Sequence, residues 1–339
     1  MNPTARSAAG LAAAIALLVA ADALLPRVLN TYYLTILARI LIAVLAAVSL
    51  QLVNGFTGQF SIGHAGFMAV GAYTSAALSV YGSAPLLGDL QQVFPAPIAR
   101  ALYFPIPLVF GGIAASLAGF LVGIPALRLR GDYLAIATLG FGEIIRIAIL
   151  NINAVGGARG FSLSAPQAGV ELRYESLGAI GAVVLISVAL IARLVYSTGG
   201  LAFRAVREDE TAAEAMGIAT TRVKVEAFAI ASFFAGVAGA LFAHAEGYVH
   251  TNSFTFVRSF EIMAFVVLGG LGSLTGAALA AAGLTAAPEL LRGFGEWRMV
   301  LYSLLIIVTM LVRPQGLLGS RELSLRFLLP RGASRAPEP

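Results

Sequence analysis

The sequence consists largely of apolar stretches that are each about as long as a helix must be to cross a lipid bilayer. Such a helix needs about 20 predominantly apolar residues. By that measure we predict spans at residues 8–25, 34–54, 61–82, 105–127, 132–150, 177–196, 224–246, 260–275, 276–291 and 299–313. The expected fold is therefore an all-α integral membrane protein with about ten transmembrane helices.

The composition agrees with a chain that faces lipid and other helices. Charged residues make up 12% of the 339 positions and hydrophobic residues 59%, whereas about a quarter of a typical soluble domain is charged. The basic residues are dispersed and form no run beside aromatic residues, so the net charge of +5 indicates membrane topology rather than nucleic-acid binding. The sequence has no cysteine, which excludes disulfides and thiolate metal sites.

The two ends of the chain call for separate interpretations. Arg6 precedes an apolar run from Leu11 to Ala21, which fits either a cleaved signal peptide or a retained first span. We favour the retained span because many further spans follow. Residues 1–317 are expected to form one membrane domain, and residues 318–339 a basic tail that we predict to be mobile.

The distribution of basic residues predicts the orientation in the membrane. If the spans alternate, Lys and Arg are in modest excess on the side that carries the N-terminus. Since positively charged loops tend to stay in the cytoplasm, both termini are predicted to be cytoplasmic. Residues 151–176 then form an outer loop. The largest inner loop, residues 197–223, is the most charged part of the chain.

Two short helices are predicted within the inner loop at residues 197–223. Residues 199–210 have the pattern of a short amphipathic helix. Thr211 and Glu214 then match a capping box, in which a hydroxyl and a carboxylate satisfy the first turn of a helix. Gly217 suits the left-handed position that ends a helix. A short helix capped at both ends favours docking on a partner protein, and the alternative is a solvated loop.

Glycine-rich segments at residues 54–66 and 269–276 interrupt two apolar regions. Their similar spacing of glycine and hydroxyl residues suggests two related halves. The second segment leaves open whether residues 260–291 cross the membrane twice or contain a re-entrant break. Broken helices offer backbone groups to a zwitterionic solute, and we predict a substrate pathway lined by Gln59, Ser61, Gly63, His64, Gly270, Gly272 and Ser273. The alternative is that these glycines only allow close helix packing.

Few side chains in the predicted spans point to chemistry. Glu143 and Arg146 are three residues apart, so they face each other on a helix and predict an intramembrane ion pair. No metal-binding motif or catalytic residue is predicted, and no cofactor is expected in this chain. The single lysine, Lys224, does not follow the glycine-rich loop that a nucleotide site requires. Any energy source must therefore lie on another chain.

Four segments together resemble the permeases of branched-chain amino acid ABC importers, in particular their longer M-type. They are the loop from Arg204 to Gly217, the segment from Leu127 to Arg146, and the glycine-rich segments at residues 58–67 and 267–276. The resemblance runs in order across residues 30–317. One departure lies at residues 155–160, which read Val-Gly-Gly-Ala-Arg-Gly where members often have Thr-Gly-Gly-Pro-Asn-Gly.

The resemblance implies a permease subunit rather than an enzyme, with residues 1–317 as the transmembrane permease domain and residues 197–223 as the cytoplasmic coupling loop. The residues that would couple to an ATPase are Arg204, Arg207, Glu208, Asp209, Glu210, Thr211, Glu214, Met216 and Gly217. The implied setting is the bacterial inner membrane. The implied partners are a second, H-type permease subunit, two cytoplasmic ATPase subunits and a periplasmic substrate-binding protein.

The implied substrates are branched-chain or other apolar amino acids, and three alternatives stay open. The departure at residues 155–160 leaves urea, amides and aromatic acids as substrates of the same family. A secondary transporter working alone would need titratable residues at mid-membrane, and apart from Glu143 and Arg146 the spans offer almost none. An intramembrane hydrolase would need a nucleophile beside a base, and the sequence shows no plausible pair.

Overall fold

The structure, a computed structural model, describes residues 29–93, 95–129, 131–165, 170–171, 176–319 and 322. Most of this part of the chain is helical. The α-helices are α1 (Thr31–Gln51), α2 (His64–Val93), α3 (Ala96–Tyr103), α4 (Pro105–Ala126), α5 (Asp132–Leu150), α6 (Leu177–Val195), α7 (Thr198–Glu208), α8 (Glu210–Ala215), α9 (Thr220–Glu246), α10 (Phe256–Gly269), α11 (Leu274–Leu290) and α12 (Arg298–Val312).

Short elements connect these helices. A π-helical turn (Leu52–Phe56) continues α1, and 3₁₀ turns lie at Asn153–Val155, Gly157–Arg159, Thr251–Phe254 and Leu291–Trp297. The strands β1 (Phe161–Ser162) and β4 (Tyr248–Val249) pair antiparallel, as do β2 (Ser164–Ala165) and β3 (Val170–Glu171).

Seven helical segments in the described residues are long and apolar enough to cross a membrane, so the chain is a multi-pass membrane protein. They are Thr31–Phe56, Pro105–Ala126, Asp132–Leu150, Leu177–Val195, Thr220–Glu246, Thr251–Gly269 and Leu274–Val312. The predicted span at residues 8–25 lies outside the described residues. Helix α2 is not among these seven segments, and helices α11 and α12 together form the single segment Leu274–Val312. Ten crossings and two related halves therefore remain predictions.

Helix α9 lies at the centre of the bundle, where it packs against α1, α2 and α4. Three glycines allow this packing: Gly71 in α2, Gly111 in α4 and Gly236 in α9. A Cβ atom on Gly71 would lie 2.2 Å from the carbonyl oxygen of Gly236, and one on Gly111 would lie 2.7 Å from that of Gly71. The backbones are in contact because no side chain separates them, as in other closely packed membrane helices.

The bundle has two ends, and the predicted inner and outer loops lie at opposite ones. The α7–α8 end carries those two helices. The β1–β4 end carries the ribbon in which Phe161 pairs with Val249. Helices α1 and α9 run antiparallel between the ends, since Arg39 near the start of α1 bonds Glu246 at the end of α9 over 2.7 Å. Residues 151–165 thus lie far from the charged loop.

Helices α2 and α10 both carry a buried polar residue in their first turn. Helix α2 starts at His64, whose Nε2 lies 2.8 Å from Ser49 Oγ in α1. Helix α10 starts at Phe256, shortly after the 3₁₀ turn at Thr251–Phe254 that follows β4. The first turns of these two helices meet, because the Ala65 N–H donates to Ser259 Oγ over 3.1 Å. His64 and Ser259 are both buried.

Residues 260–291 form two helices that pack against each other, joined by a turn. The turn occupies residues 270–273, inside the glycine-rich segment at residues 269–276, so the first helix ends earlier than the predicted residue 275. Gly270 and Gly272 both have positive φ, at 109° and 93°. Ser273 starts α11 as its N-cap, since its Oγ accepts from the Gly276 N–H over 3.0 Å.

Candidate functional site

The charged loop folds as two short helices against the end of the bundle. Helix α7 begins after Ser197, whose Oγ accepts from the Gly200 N–H over 3.3 Å. Phe203 and Val206 are buried on one face of α7. Asp209 then has an extended backbone, with φ −157° and ψ 111°, and separates α7 from α8.

The capping box predicted at Thr211 and Glu214 is wrong. Asp209 is the N-cap of α8, and its Oδ1 accepts from the N–H groups of Thr211 and Ala212 over 2.8 and 3.0 Å. Aspartate ranks above threonine as an N-cap, so the helix starts two residues earlier, at Glu210, and Thr211 lies within it. The Glu214 carboxylate instead accepts a hydrogen bond of 2.6 Å from the Thr220 hydroxyl.

Gly217 follows the end of α8 in a left-handed conformation, with φ +84°. Its N–H donates to the Glu214 carbonyl over 2.9 Å, and the Ile218 N–H donates to the Ala213 carbonyl over 3.0 Å. These two bonds form a Schellman motif, which satisfies the last carbonyls of the helix. The turn into α9 therefore depends on a backbone conformation that glycine adopts at low cost.

A buried ion pair holds α8 against the start of α9. Lys224, with 9% of its side chain exposed, binds the carboxylate of Glu210. Removing one partner of such a pair leaves an uncompensated charge away from water. This ion pair was not predicted from the sequence, because Glu210 lies in the preceding helix and only the packing of α8 against α9 brings it to Lys224.

Arg207, at the end of α7, lies between the two glycine-rich segments. A Cβ atom on Gly58 would lie 3.3 Å from Arg207 Cγ, and one on Gly272 would lie 2.5 Å from Arg207 Nη1. Both glycines have positive φ and leave room for the arginine. The predicted coupling loop and the predicted pathway segments thus meet at one side chain.

A cavity of about 180 Å³ opens beside this contact. Its wall combines the first glycine-rich segment, α7 and the Glu210–Lys224 pair, with Leu127, Leu129, Gly131 and Leu134 opposite. Gln59 lines the cavity and is 6% exposed. Among the described residues, neither atom of its amide group has a hydrogen-bond partner. The Gln59 amide is therefore buried beside the cavity with its hydrogen-bonding capacity unused.

The remaining predicted pathway residues divide between two places. Ser61, Gly63 and His64 lie deeper in the bundle: the Ser61 N–H donates to Asn54 Oδ1 over 3.1 Å, and a Cβ atom on Gly63 would meet the Thr138 carbonyl at 2.3 Å. Gly270 and Ser273 lie in the turn beside Arg207. There Gln51 Nε2 donates to the carbonyls of both, over 2.8 and 3.2 Å.

The outward face of α7 and α8 is uncovered by the rest of the described chain. Met216 is 83% exposed, and the Glu208 side chain is 79% exposed. Asp209 and Thr211 are also exposed. Arg204 differs, because its Nε is buried and has no hydrogen-bond partner among the described residues. The loop therefore has an inner face against the bundle and an outer face that other molecules can reach.

The C-terminal segment also contacts this site, which no sequence pattern indicated. The Glu322 carboxylate accepts from the N–H groups of Leu274 and Thr275 over 2.5 and 3.1 Å, and so caps α11. The Leu317 N–H donates to the Leu268 carbonyl over 2.7 Å. Burial raises the pKa of Tyr196, and the nearby Glu322 carboxylate adds to the rise. Glu322 carried no signal in the sequence because it is an isolated acid within a basic tail.

Glu143 and Arg146 form an ion pair in α5, with Arg146 Nε 2.7 Å from Glu143 Oε2. The other carboxylate oxygen of Glu143 accepts from the Phe256 N–H over 2.9 Å. The carboxylate therefore lies at the N-terminus of α10, where a negative charge is favourable. No cluster of His, Asp or Glu suitable for a metal ion occurs among the described residues.

Comparison with known proteins places these features in a family. The family model for the permease component of branched-chain amino acid transport systems matches residues 32–312. The high-affinity branched-chain amino acid transport system permease protein LivM of Escherichia coli K12 is 36% identical over 326 residues, which cover 88% of this chain and 72% of that protein. No solved structure shows significant similarity.

Two further relatives are also permease proteins of branched-chain amino acid transport systems. The LivM protein of Salmonella typhimurium is 37% identical over 306 residues, covering 82% of this chain and 68% of that protein. The LivH permease protein of the same transport system in that organism is 26% identical over 298 residues, covering 82% and 91%. From the match over residues 32–312 and the similarity to LivM, the chain belongs to the family of permease components of branched-chain amino acid transport systems.

Proposed function

We propose that this chain is the transmembrane permease subunit of an ATP-driven importer, which carries branched-chain or other apolar amino acids across the bacterial inner membrane. The observation that carries the proposal is the position of Arg207. This residue of the charged loop contacts both glycine-rich segments, so a movement of the loop acts directly on the two interruptions of the bundle.

The exposed face of α7 and α8 is the proposed docking surface for an ATPase subunit. The loop is anchored on its inner side by Phe203, Val206 and the Glu210–Lys224 pair, while Met216 and Glu208 project outward. A partner that binds the exposed side of this loop could therefore move the loop together with the helices to which its inner side is anchored. The chain itself lacks a P-loop, which is consistent with ATP hydrolysis on a partner.

The comparisons support the rest of the assembly. Relatives of two types, LivM and LivH, are both similar to this chain, and we propose that an H-type permease is its partner in the membrane. A pair of permeases would engage two ATPase subunits and receive substrate from a periplasmic binding protein. Residues 197–223 would then serve as the cytoplasmic coupling loop and residues 1–317 as the permease domain, without a cofactor.

Copurification tests this proposal. We expect the tagged chain, purified from native membranes, to carry with it a second permease and ATPase subunits. The reconstituted complex should accumulate leucine only when ATP and the binding protein are present. A chain that purifies alone and drives leucine uptake from an ion gradient would show a secondary transporter instead. Uptake of urea, an amide or an aromatic acid in place of leucine would show that the substrate is different. The chain would still be the permease subunit of an ATP-driven importer.

The proposed orientation predicts the accessibility of two single cysteines. Ala158 is exposed at the β1–β4 end, and the Arg222 side chain is 80% exposed at the α7–α8 end. Because the chain has no cysteine of its own, Ala158→Cys should react with an impermeant thiol reagent added outside the cell, and Arg222→Cys only after the membrane is opened. The reverse pattern would invert the orientation and place both termini outside.

A further inference from the structure

A second, larger cavity of about 390 Å³ lies toward the β1–β4 end of the bundle. Four helices and the ribbon contribute to its wall. The lining residues are Arg39 and Ile42 from α1, Phe242 and Glu246 from α9, Tyr248 from β4, Ser253, Arg258 from α10 and Thr285 from α11. All of these residues lie away from Arg207, which is at the α7–α8 end of the bundle.

The charged residues that line this cavity each belong to an ion pair. Arg39 and Glu246 form a two-bond ion pair, of 2.7 and 3.1 Å. Arg258 Nη1 donates to Glu261 Oε2 over 2.6 Å. Charged side chains within membrane helices are costly and usually face a water-filled space or a ligand. Arg39, Glu246 and Arg258 line the cavity, and Glu261 pairs with Arg258 without lining it. The cavity therefore offers groups of both signs to a ligand that carries one positive and one negative charge.

Each ion pair retains capacity for a ligand. An arginine has five N–H donors in a planar arrangement, and in Arg258 only Nη1 is bonded to Glu261. Each oxygen of Glu246 accepts one bond from Arg39 and has a further lone pair. A carboxylate near Arg258 and an ammonium group near Glu246 can therefore bind without breaking either pair.

The remaining wall suits an apolar side chain and one polar contact. Ile42 and Phe242 provide the apolar surface. The hydroxyl of Thr285 is buried and has no hydrogen-bond partner among the described residues. A buried hydroxyl without a partner is unfavourable unless a ligand or water satisfies it. The wall thus combines separated positive and negative groups with an apolar patch, and a buried hydroxyl without a partner lies beside it.

We infer that this cavity is a binding site for a zwitterionic apolar amino acid, with its carboxylate at Arg258 and its ammonium group at Glu246. The inference rests on the proposed transport function and places the substrate in a part of the bundle that the glycine-rich segments do not reach. The glycine-rich segments beside Arg207 would then line the other end of the substrate pathway. The amino acid is held by side-chain charges here rather than by broken helices.

Protection of a single cysteine tests the inference. In the complete importer, with ATP and the binding protein, the thiol of Ser253→Cys should react with N-ethylmaleimide several-fold more slowly when leucine is present. Neither 4-methylpentanoate nor 3-methylbutylamine should protect, because each lacks one of the two charges. Thr285→Cys, of nearly the same size as threonine, is a second reporter if Ser253→Cys impairs assembly. The cysteine of Ala158→Cys should react at an unchanged rate.

Two neutral variants separate ligand binding from charge pairing. Arg258→Gln removes the proposed carboxylate ligand, whereas Glu261→Gln removes only its partner, which does not line the cavity. We expect leucine protection to be lost in Arg258→Gln and retained in Glu261→Gln, with KM for leucine raised at least tenfold in the first alone. An importer that transports leucine without protecting either reporter, or equal effects of the two variants, would overturn the site. Absence of leucine transport by the wild-type importer would instead overturn the proposed function.

Discussion

Gly71→Ala is expected to destabilise the folded bundle by about 3 kcal/mol or more. A Cβ atom at this position would lie 2.2 Å from the carbonyl oxygen and 2.3 Å from the Cα atom of Gly236. Overpacking typically costs about 1–3 kcal/mol, and this contact lies at the upper limit because backbone atoms cannot move aside as a flexible side chain can. The measurement is the temperature at which the detergent-purified protein loses its folded state.

Gly283→Ala provides the matched control, since it adds the same methyl group to α11. No heavy atom among the described residues lies within 4 Å of a Cβ atom there, and Gly283 is exposed. Alanine is also the better helix former, by up to about 1 kcal/mol, so this variant should be as stable as the wild type or slightly more so. Equal melting temperatures for the two variants would show that the close approach of α2, α4 and α9 does not determine stability.

Gly217→Val is expected to reduce transport about tenfold or more while the assembled complex persists. The residue has φ +84°, and its surroundings within 4 Å are empty, so volume is not the cause. A left-handed conformation costs an L-residue roughly 1–2 kcal/mol, and valine tolerates it poorly. An energy of 1.4 kcal/mol corresponds to a factor of ten in an equilibrium. The strained turn should disturb α8, the element proposed to dock on the ATPase.

The test compares leucine uptake and ATPase activity in complexes of equal subunit content. Gly217→Asn is the control, because asparagine enters the left-handed region far more readily than valine. It should restore most of the uptake. Normal uptake by Gly217→Val would remove the α8 turn from the coupling mechanism. Equal loss in the valine and asparagine variants would mean that the glycine is needed for a reason other than φ, such as direct contact with a partner.

Several features were predictable because they depend on residues close together in the chain. The apolar stretches predict membrane helices, since the bilayer sets their length. Gly217 marks the end of α8 because few residues tolerate its backbone conformation. Glu143 and Arg146 face each other because they are three residues apart on a helix. The capping box failed for a related reason: two local caps competed, and Asp209 outranked Thr211.

Other features depend on residues far apart in the sequence. Arg207 contacts both Gly58 and Gly272 only because α7 packs across the end of the bundle. Lys224 is buried because Glu210 reaches it from α8. Two charged residues could have pointed to the cavity at the β1–β4 end, because Glu246 ends the predicted span at residues 224–246 and Arg258 lies just before the predicted span at residues 260–275. Only the packing of α1, α9, α10 and α11 shows that Arg258 and Glu246 line the same cavity.

The sequence by itself determined that this chain spans a membrane, belongs with the permeases it resembles, and carries a charged loop with a helix-ending glycine. The membrane spans follow from composition and periodicity, and the helix-ending glycine follows from backbone preference. Membership of the family follows from the match over residues 32–312. Only the tertiary structure decided that the loop contacts both glycine-rich segments, that Glu322 caps α11, and that Arg39, Glu246 and Arg258 line one cavity. Such contacts arise from the order in which helices pack, and helix packing in a membrane is set by close fits between small residues on distant segments.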